Sequence, residues 1–411
     1  MQVATIISRV VGPDVPVRVI GYDGSKAGPD SSDIAIRITS PRAMARLATA
    51  PGTLGLARGY VEGEIEVEGD LYELLAAMAD VTLNDIPRAE RLRLARRLLP
   101  LWVRHRPAVP DLEYRPPGRL HSKLRDSKAI SHHYDVSNRF YEWVLGPSMA
   151  YTCAVYPTET ATLEEAQAAK HELVAQKLAL EPGMRLLDVG CGWGGMVMHA
   201  AAEHGVKALG VTLSRRQAEW AQAEIVRRGL QSLAEVRHLD YRDAPESQFD
   251  AISSIGLTEH IGNAQLPGYF GSLRDRLRPG GRLLNHCITQ PRTPRKATDP
   301  FIDRYIFPDG QLEAVGRIIS AMNDAGFEIR HEENLREHYA RTLAGWSANL
   351  DRHWEEAVAE VGLGRARVWR LYMAACQLGF ERDNIQLHQV LGVRLGKQGE
   401  SGFPLRGWRR L

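Results

Sequence analysis

The sequence predicts an α/β protein in which a doubly wound, mostly parallel sheet covered by helices follows a smaller α+β N-terminal domain. Three observations carry that reading. Between residues 163 and 288, apolar runs of strand length alternate with helical stretches, the order that builds βαβ units. One of those runs, 185–189, delivers the chain directly into Gly190-Cys191-Gly192-Trp193-Gly194-Gly195 and then into a helix. Before residue 86 the pattern differs, with period-two alternation at 15–20 and 33–38 beside helical stretches at 42–48 and 71–78.

Taken in order, residues 1–86 form a first unit without a chemical signature of its own. From 87 to 128 the composition shifts to twelve Arg or Lys against four acids. Within this stretch 89–99 reads as a helix ended by Pro100, with Leu92, Leu98 and Leu99 set among arginines. That pattern suits an interfacial helix on anionic lipid, and equally a solvated helix whose leucines pack on the first unit. Nucleic acid is disfavoured, because aromatic stacking platforms are missing from the basic run. Residues 107–118 read as a linker, which gives expected domains of 1–86, 87–120 and 121–411.

In the third domain an amphipathic stretch at 139–145 precedes a helix at 163–178. Strands then follow at 185–189, 207–212, 234–239, 249–255 and 281–288, separated by helices at 196–203, 216–227 and 267–277. An insertion at 299–308, a helix at 312–325, two long helical stretches within 338–380 and a last strand at 386–395 complete the chain.

With 411 residues, 44% of them hydrophobic, and a net charge of +2, the chain has room for two or three domains and lacks a strong global field. Its four cysteines, Cys153, Cys191, Cys287 and Cys376, form no CxxC pair. This spacing argues against a zinc site and a disulfide framework, so no metal is expected and a reducing compartment is. No apolar run approaches the ~20 residues that span a bilayer, and no signal-peptide layout opens the chain. The expectation is a cytoplasmic protein that touches a membrane only from its surface.

The glycine turn narrows the ligand. Gly190 and Gly192 let the backbone bend tightly and approach a bound molecule where any Cβ would obstruct it. The pattern is GxGxGG instead of GxGxxG, and the second strand ends in Val211-Thr212-Leu213-Ser214 without the carboxylate that a dinucleotide ribose requires. A dinucleotide is therefore disfavoured. Asp188 before the first glycine and Asp240 after a third strand fit the class I S-adenosylmethionine (SAM) methyltransferases.

Eight motifs in order, HHYDVSN at 132–138, YTCA at 151–154, LLDVGCGWGG at 186–195, VTLSRRQ at 211–217, EHIG at 259–262, YIFPDG at 305–310, HYARTLAGW at 338–346 and IQLHQV at 385–390, resemble the cyclopropane-fatty-acid synthases. That family includes mycolic acid cyclopropane synthases and fatty-acid C-methyltransferases. The stretch GTLGLARGYVEGEIEVEGDLYEL at 52–74 also looks like the end of the small N-terminal domain of members acting on membrane phospholipid.

The resemblance implies a Rossmann-like class I methyltransferase sheet and methyl transfer from SAM to unsaturated phospholipid acyl chains at the membrane surface, on its cytoplasmic side. SAM contacts carried over are Tyr134, Asp135, Asp188, Gly190, Cys191, Gly192, Gly194, Thr212, Leu213, Gln217, Asp240 and Tyr241, with Thr212 and Gln217 replacing the missing carboxylate. A bicarbonate ion as base is implied at Cys153, Glu259, His286, Ile288 and Tyr339, with the rings of Tyr151 and Tyr339 facing a carbocation. Cys376 matches a cysteine proposed as catalytic in the family. By their own context His286 reads as a satisfied core histidine, and Cys153 and Cys376 as small buried hydrophobes.

Departures bear on the product. Thr258 precedes Glu259 where ring-forming members have an aromatic, and Asn285 and Cys287 flank His286. Cyclopropane ring and methylene branch both stay open, the latter with a reductase partner. A homodimer is compatible with either.

Overall fold

The computed structural model describes residues 2–12, 14–50, 52–81, 87–105, 107–118, 122, 125, 137–293 and 298–406. Two compact units divide the chain, one made of 1–115, 299–306 and 354–378, the other of 116–298, 307–353 and 379–411.

The smaller unit holds a four-stranded sheet in the order β2-β1-β3-β4, built from β1 (Arg18–Ile20), β2 (Lys26–Ala27), β3 (Ala35–Ile38) and β4 (Ile65–Glu68). Strands β1 and β3 run parallel, and the other pairs are antiparallel. Its helices start at cap residues: Ser40 accepts from the Arg42 N–H with Pro41 at the first helical position, and Asp70 accepts from the N–H groups of Tyr72 and Glu73. Two helices, Val3–Val11 and Thr53–Val61, were not read from the sequence. In the second, glycines obscure the period. A Cβ on Gly55 would lie 2.2 Å from the Ala50 carbonyl oxygen, so close approach requires the glycine that weakens the helical signal.

The basic helix runs from Arg88 to His105, through the Pro100 expected to end it. Packing compensates for the proline, since Leu94 and Leu98 are buried and the helix lies against helix Pro41–Thr49. Leu92, Leu99 and Val103, spaced seven and four residues apart on another face, are each more than half exposed.

The stretch expected to be a linker is fastened instead. The Glu113 carboxylate accepts from Arg58 Nη2 at 2.9 Å, Arg304 Nη1 at 3.2 Å and the Tyr305 hydroxyl at 3.1 Å. These bonds tie helix Pro300–Tyr305 to helix Thr53–Val61, so the insertion belongs to the smaller unit, as does most of helix Leu363–Glu381. The expected division at 86 and 120, with an unbroken domain from 121 to 411, therefore differs from the observed units. Partners nearly two hundred residues apart decide it.

The larger unit is a seven-stranded sheet in the order β10-β11-β9-β8-β5-β6-β7. Its strands are β5 (Arg185–Val189), β6 (Lys207–Thr212), β7 (Ala234–His238), β8 (Phe249–Ile255), β9 (Leu277–Thr289), β10 (Phe327–Asn334) and β11 (Gln386–Arg394). All pairs from β9 to β7 are parallel, and β11 is antiparallel to both of its neighbours. Successive residues face opposite layers: Leu186, Ala208, Ala251 and Leu284 enter one core, while Leu187, Leu209, Ile252 and Leu283 enter the other. Burial on both faces explains the unbroken apolar runs in the sequence. Strand β10 escaped the sequence reading because, as a charged edge strand, it alternates exposed Arg330, Glu332 and Asn334 with half-buried Ile329, His331 and Glu333, which leaves no apolar run. The two helical stretches expected at 338–380 are three, Arg336–Arg352, Trp354–Val361 and Leu363–Glu381, with Gly362 at φ +82° between the last two. Strand order reverses between β5 and β8, which places a ligand crevice at the end of β5.

Candidate functional site

The turn after β5 has Gly190, Gly192 and Gly194 at φ +72°, +55° and +78°. The N–H groups of Gly190 and Cys191 both donate to the Val211 carbonyl, at 2.9 and 3.0 Å, which pins the turn to β6. A Cβ on Gly192 would meet nothing within 4 Å, so there the backbone is bared to a cavity of about 380 Å³. On Gly194 it would press against Ala221 and Val236 at 3.2 Å.

Of the expected SAM contacts, Asp188, Gly190, Cys191, Gly192, Thr212, Leu213, Gln217 and Tyr241 line this cavity. Gly194 and Asp240 stand behind its wall: the first serves packing, and the second is gripped by Arg242, whose Nε and Nη2 donate at 2.8 and 2.6 Å. Tyr134 and Asp135 lie outside the described residues. Thr212 Oγ1 donates to Gln217 Oε1 at 2.7 Å, and Ser214 caps helix Arg215–Arg227 through the Gln217 N–H at 3.2 Å. The tip of β6 thus presents hydroxyl and amide groups where other nucleotide folds place a carboxylate.

Asp188 is buried and accepts from Ser253 Oγ at 2.6 Å. Desolvation pushes its carboxyl up to about 6, opposed by the Ser253 bond and the charge of Lys170. Lys170 is itself buried on helix Leu163–Leu178. Its Nζ donates to Thr152 Oγ1 at 3.1 Å and lies 2.9 Å from His171 Nε2, and desolvation brings it down to about 8. Lys170 and His171 line the cavity and were missed in the sequence. The signal was present, because Ala166, Gln167, Val174, Ala175 and Leu178 mark the buried face of that helix and the pair stands on it.

The five residues expected to hold a base adjoin this cavity without lining it. Glu259 lies in the 3-10 turn Thr258–His260 after β8, where its Oε1 accepts the Ile288 N–H at 2.6 Å. Its Oε2 is buried with no partner among the described residues, and desolvation pushes the carboxyl up to about 7. His286, on β9, also has a buried Nε2 without a partner among the described residues. Its Nδ1 lies 3.1 Å from Gln389 Nε2, and Gln389 Oε1 accepts from Lys177 Nζ at 2.7 Å. An ammonium can only donate, so Gln389 must turn its oxygen to Lys177 and its N–H to His286. The imidazole proton therefore sits on Nε2. Desolvation, with the charges of Lys170 and Lys177, holds His286 far below the usual histidine range and keeps it neutral.

Cys153 and Tyr339 complete the set through Leu335, whose carbonyl accepts the Tyr339 N–H at 3.2 Å and lies 3.8 Å from Cys153 Sγ. Leu335 N–H donates to Leu387, which faces Ile288 across the sheet. Burial pushes the Cys153 thiol far up, so it is no thiolate. Rings form a continuous wall here: Tyr151 and Tyr339 flank Trp346 at centroid distances of 5.3 and 6.0 Å, and Phe380 lies 4.6 Å from Tyr339. Thr258 Oγ1 donates to Asn285 Oδ1 at 2.5 Å, so two of the three departures from the family pattern form one buried polar link. Cys376 belongs to the smaller unit, and desolvation together with Asp299 pushes its thiol up to about 12, opposite to an activated nucleophile.

The family model of mycolic acid cyclopropane synthetase matches residues 121–390. A Mycobacterium tuberculosis protein described as a probable fatty acid methyltransferase is 52% identical over 408 residues, covering 96% of this chain and 94% of that protein. The Escherichia coli cyclopropane-fatty-acyl-phospholipid synthase is 33% identical over 362 residues, 87% of each chain. The structure of mycolic acid cyclopropane synthase CmaA1 complexed with SAH and CTAB superposes with a TM-score of 0.61 at 32% identity, over 65% of this chain and 97% of that chain.

Proposed function

Because the chain belongs to the mycolic acid cyclopropane synthetase family and is a SAM-dependent methyltransferase, we propose that it methylates the cis double bond of unsaturated phospholipid acyl chains and closes a cyclopropane ring. The observation that carries the ring-closing step is that two buried atoms, His286 Nε2 and Glu259 Oε2, have no partner among the described residues. One is an N–H donor and the other an acceptor, which suits an ion bearing both an anionic oxygen and a hydroxyl. Bicarbonate is such an ion.

SAM, when bound, supplies an electrophilic methyl on a sulfonium, and a cavity of about 380 Å³ is of small-ligand size. Asp188, Gly190, Cys191, Gly192, Thr212, Leu213, Gln217 and Tyr241 would hold it, with Tyr134 and Asp135 from the preceding motif. An isolated alkene is a weak nucleophile, so alignment and exclusion of water must lower the barrier. Tyr151, Trp346 and Tyr339 offer ring faces to the acyl carbocation that methyl transfer leaves. His286 and Glu259 would hold the bicarbonate that takes the proton from the new methyl, with the Gln389 bond keeping His286 a donor.

A second reading, a fatty-acid C-methyltransferase giving a methylene branch, is favoured by the Thr258–Asn285 link standing where an aromatic is expected. Proton loss from the chain instead of the new methyl would produce it, and a reductase would complete a methyl branch.

Access to lipid is proposed through helix Arg88–His105. Its exposed Leu92, Leu99 and Val103 stand among exposed Arg93, Arg96, Arg97 and Arg104, an arrangement that inserts apolar side chains while the guanidinium groups meet phosphates. No helix among the described residues is long and apolar enough to cross a membrane.

The deciding experiment incubates the protein with SAM and vesicles of cis-unsaturated phospholipid. Release of S-adenosylhomocysteine together with cyclopropane methylene signals in the proton NMR of the lipid is expected. An exocyclic methylene signal moves the assignment to the branch, and absence of both products removes the lipid reading.

A further inference from the structure

Away from the cavity, one group of side chains has no part in methyl transfer. Glu172, on helix Leu163–Leu178, points one carboxylate oxygen at two imidazoles of helix Gly195–His204: Oε2 lies 3.2 Å from His199 Nε2 and 2.9 Å from His204 Nε2. Its other oxygen, Oε1, accepts from Gln176 Nε2 at 2.7 Å. All three side chains are partly buried, and none lines the cavity. We propose that Glu172, His199 and His204 bind a divalent transition-metal ion, Zn²⁺ by the chemistry of the ligand set, which staples these two helices together.

Two neutral imidazoles and a carboxylate are a ligand set that Zn²⁺ takes readily, with the fourth tetrahedral position left to water. Ligand atoms about 2.0–2.2 Å from a tetrahedral ion are roughly 3.3 Å apart. The two nitrogen–oxygen separations are already close to that value, and the three ligand atoms lie within 4.8 Å of one another, so an ion requires movements of well under a rotamer change. The Gln176 amide supplies the outer contact that orients a ligating carboxylate. Among the described residues this is the one group of three such side chains placed to share an ion. The cysteine spacing that argued against zinc has no bearing on it, because no thiol takes part.

Position gives the site a consequence. His171, next to Glu172, lines the cavity, and its ring is 5.8 Å from that of His199. Helix Gly195–His204 begins at the end of the glycine turn, where a Cβ on Gly195 would lie 3.0 Å from His171. An ion between the middle of the first helix and the C-terminal half of the second would brace the wall of the cavity without touching the reacting groups.

The test uses the untagged, full-length protein stripped with a chelator and titrated with ZnCl₂ by calorimetry, with bound metal counted by mass spectrometry. Uptake of one ion per chain and a rise in thermal midpoint are expected, since an ion bound only by the folded state stabilises it. Co²⁺ should give the visible bands of a tetrahedral site. Glu172→Gln and His204→Gln should abolish uptake, and Gln176→Leu should weaken it about 10–100-fold while preserving all three ligands. Absence of uptake by the wild-type protein, or uptake undiminished in Glu172→Gln and His204→Gln, would overturn the proposal. SAM affinity, measured alongside, shows that each variant is folded.

Discussion

Glu259 Oε1 accepts the Ile288 N–H at 2.6 Å and thereby locks the turn after β8 onto strand β9, while its other carboxylate oxygen stays buried with no partner among the described residues. Two residues twenty-nine positions apart become one device: the backbone N–H fixes the carboxylate, and the carboxylate keeps one acceptor free. The behaviour expected of variants follows from that division.

Glu259→Gln and His286→Ala should lower turnover by about 10²–10⁴-fold while leaving SAM affinity unchanged. Both residues stand outside the cavity wall that holds the expected SAM contacts. Single-turnover kinetics and calorimetry separate the two quantities. A lost SAM affinity with normal turnover at saturation would place the pair in the wrong half of the site.

Burial raises the Glu259 carboxyl from 4.5 to about 7, so the folded chain keeps a proton that the unfolded chain releases between those values. Stability contributed by this group is accordingly present below the lower value and lost as pH rises through the upper one. Relative to Glu259→Gln, the wild type should lose on the order of 3 kcal/mol between about pH 4.5 and 7.5. Chemical denaturation of both proteins across that range measures it. Asp188, raised to about 6, contributes equally to both and cancels. A pH-independent difference would mean that the carboxyl is solvated.

Gln389→Glu should invert the histidine. The new carboxylate still accepts from Lys177, but at His286 it demands a donor, which moves the imidazole proton to Nδ1 and turns Nε2 into an acceptor. Turnover should fall on the order of 10²-fold with SAM affinity retained. Nitrogen NMR of histidine-labelled protein reads the tautomer directly. Persistence of the Nε2 proton in the variant would show that Gln389 does not set it.

Replacing Leu92, Leu99 and Val103 with serine should weaken binding to anionic vesicles, and reversing Arg93, Arg96 and Arg97 should both weaken it and flatten its salt dependence. Each arginine near the surface is worth about 1 kcal/mol. Leu94 and Leu98, which pack inward, are left intact so that the fold survives. Vesicle sedimentation at two salt concentrations gives the answer. Unchanged binding in both variants would assign the helix a purely structural role.

Strand β5, the glycine turn and strand β6 were determined by the sequence alone, with bounds that the structure reproduces, because apolar period and glycine punctuation are properties of neighbouring residues. The resemblance of the motifs supplied the family for the same reason: each motif is a local string. Tertiary structure decided whatever depends on partners far apart in the chain. It set Asp188 against Ser253, carried helix Pro300–Tyr305 into the smaller unit through Glu113, and kept helix Arg88–His105 intact past Pro100. It also chose the proton position on His286, through an amide 103 residues away whose orientation a lysine on a third element dictates. No local pattern encodes such a choice, since the direction of a hydrogen bond is settled only when every donor and acceptor around it is in place.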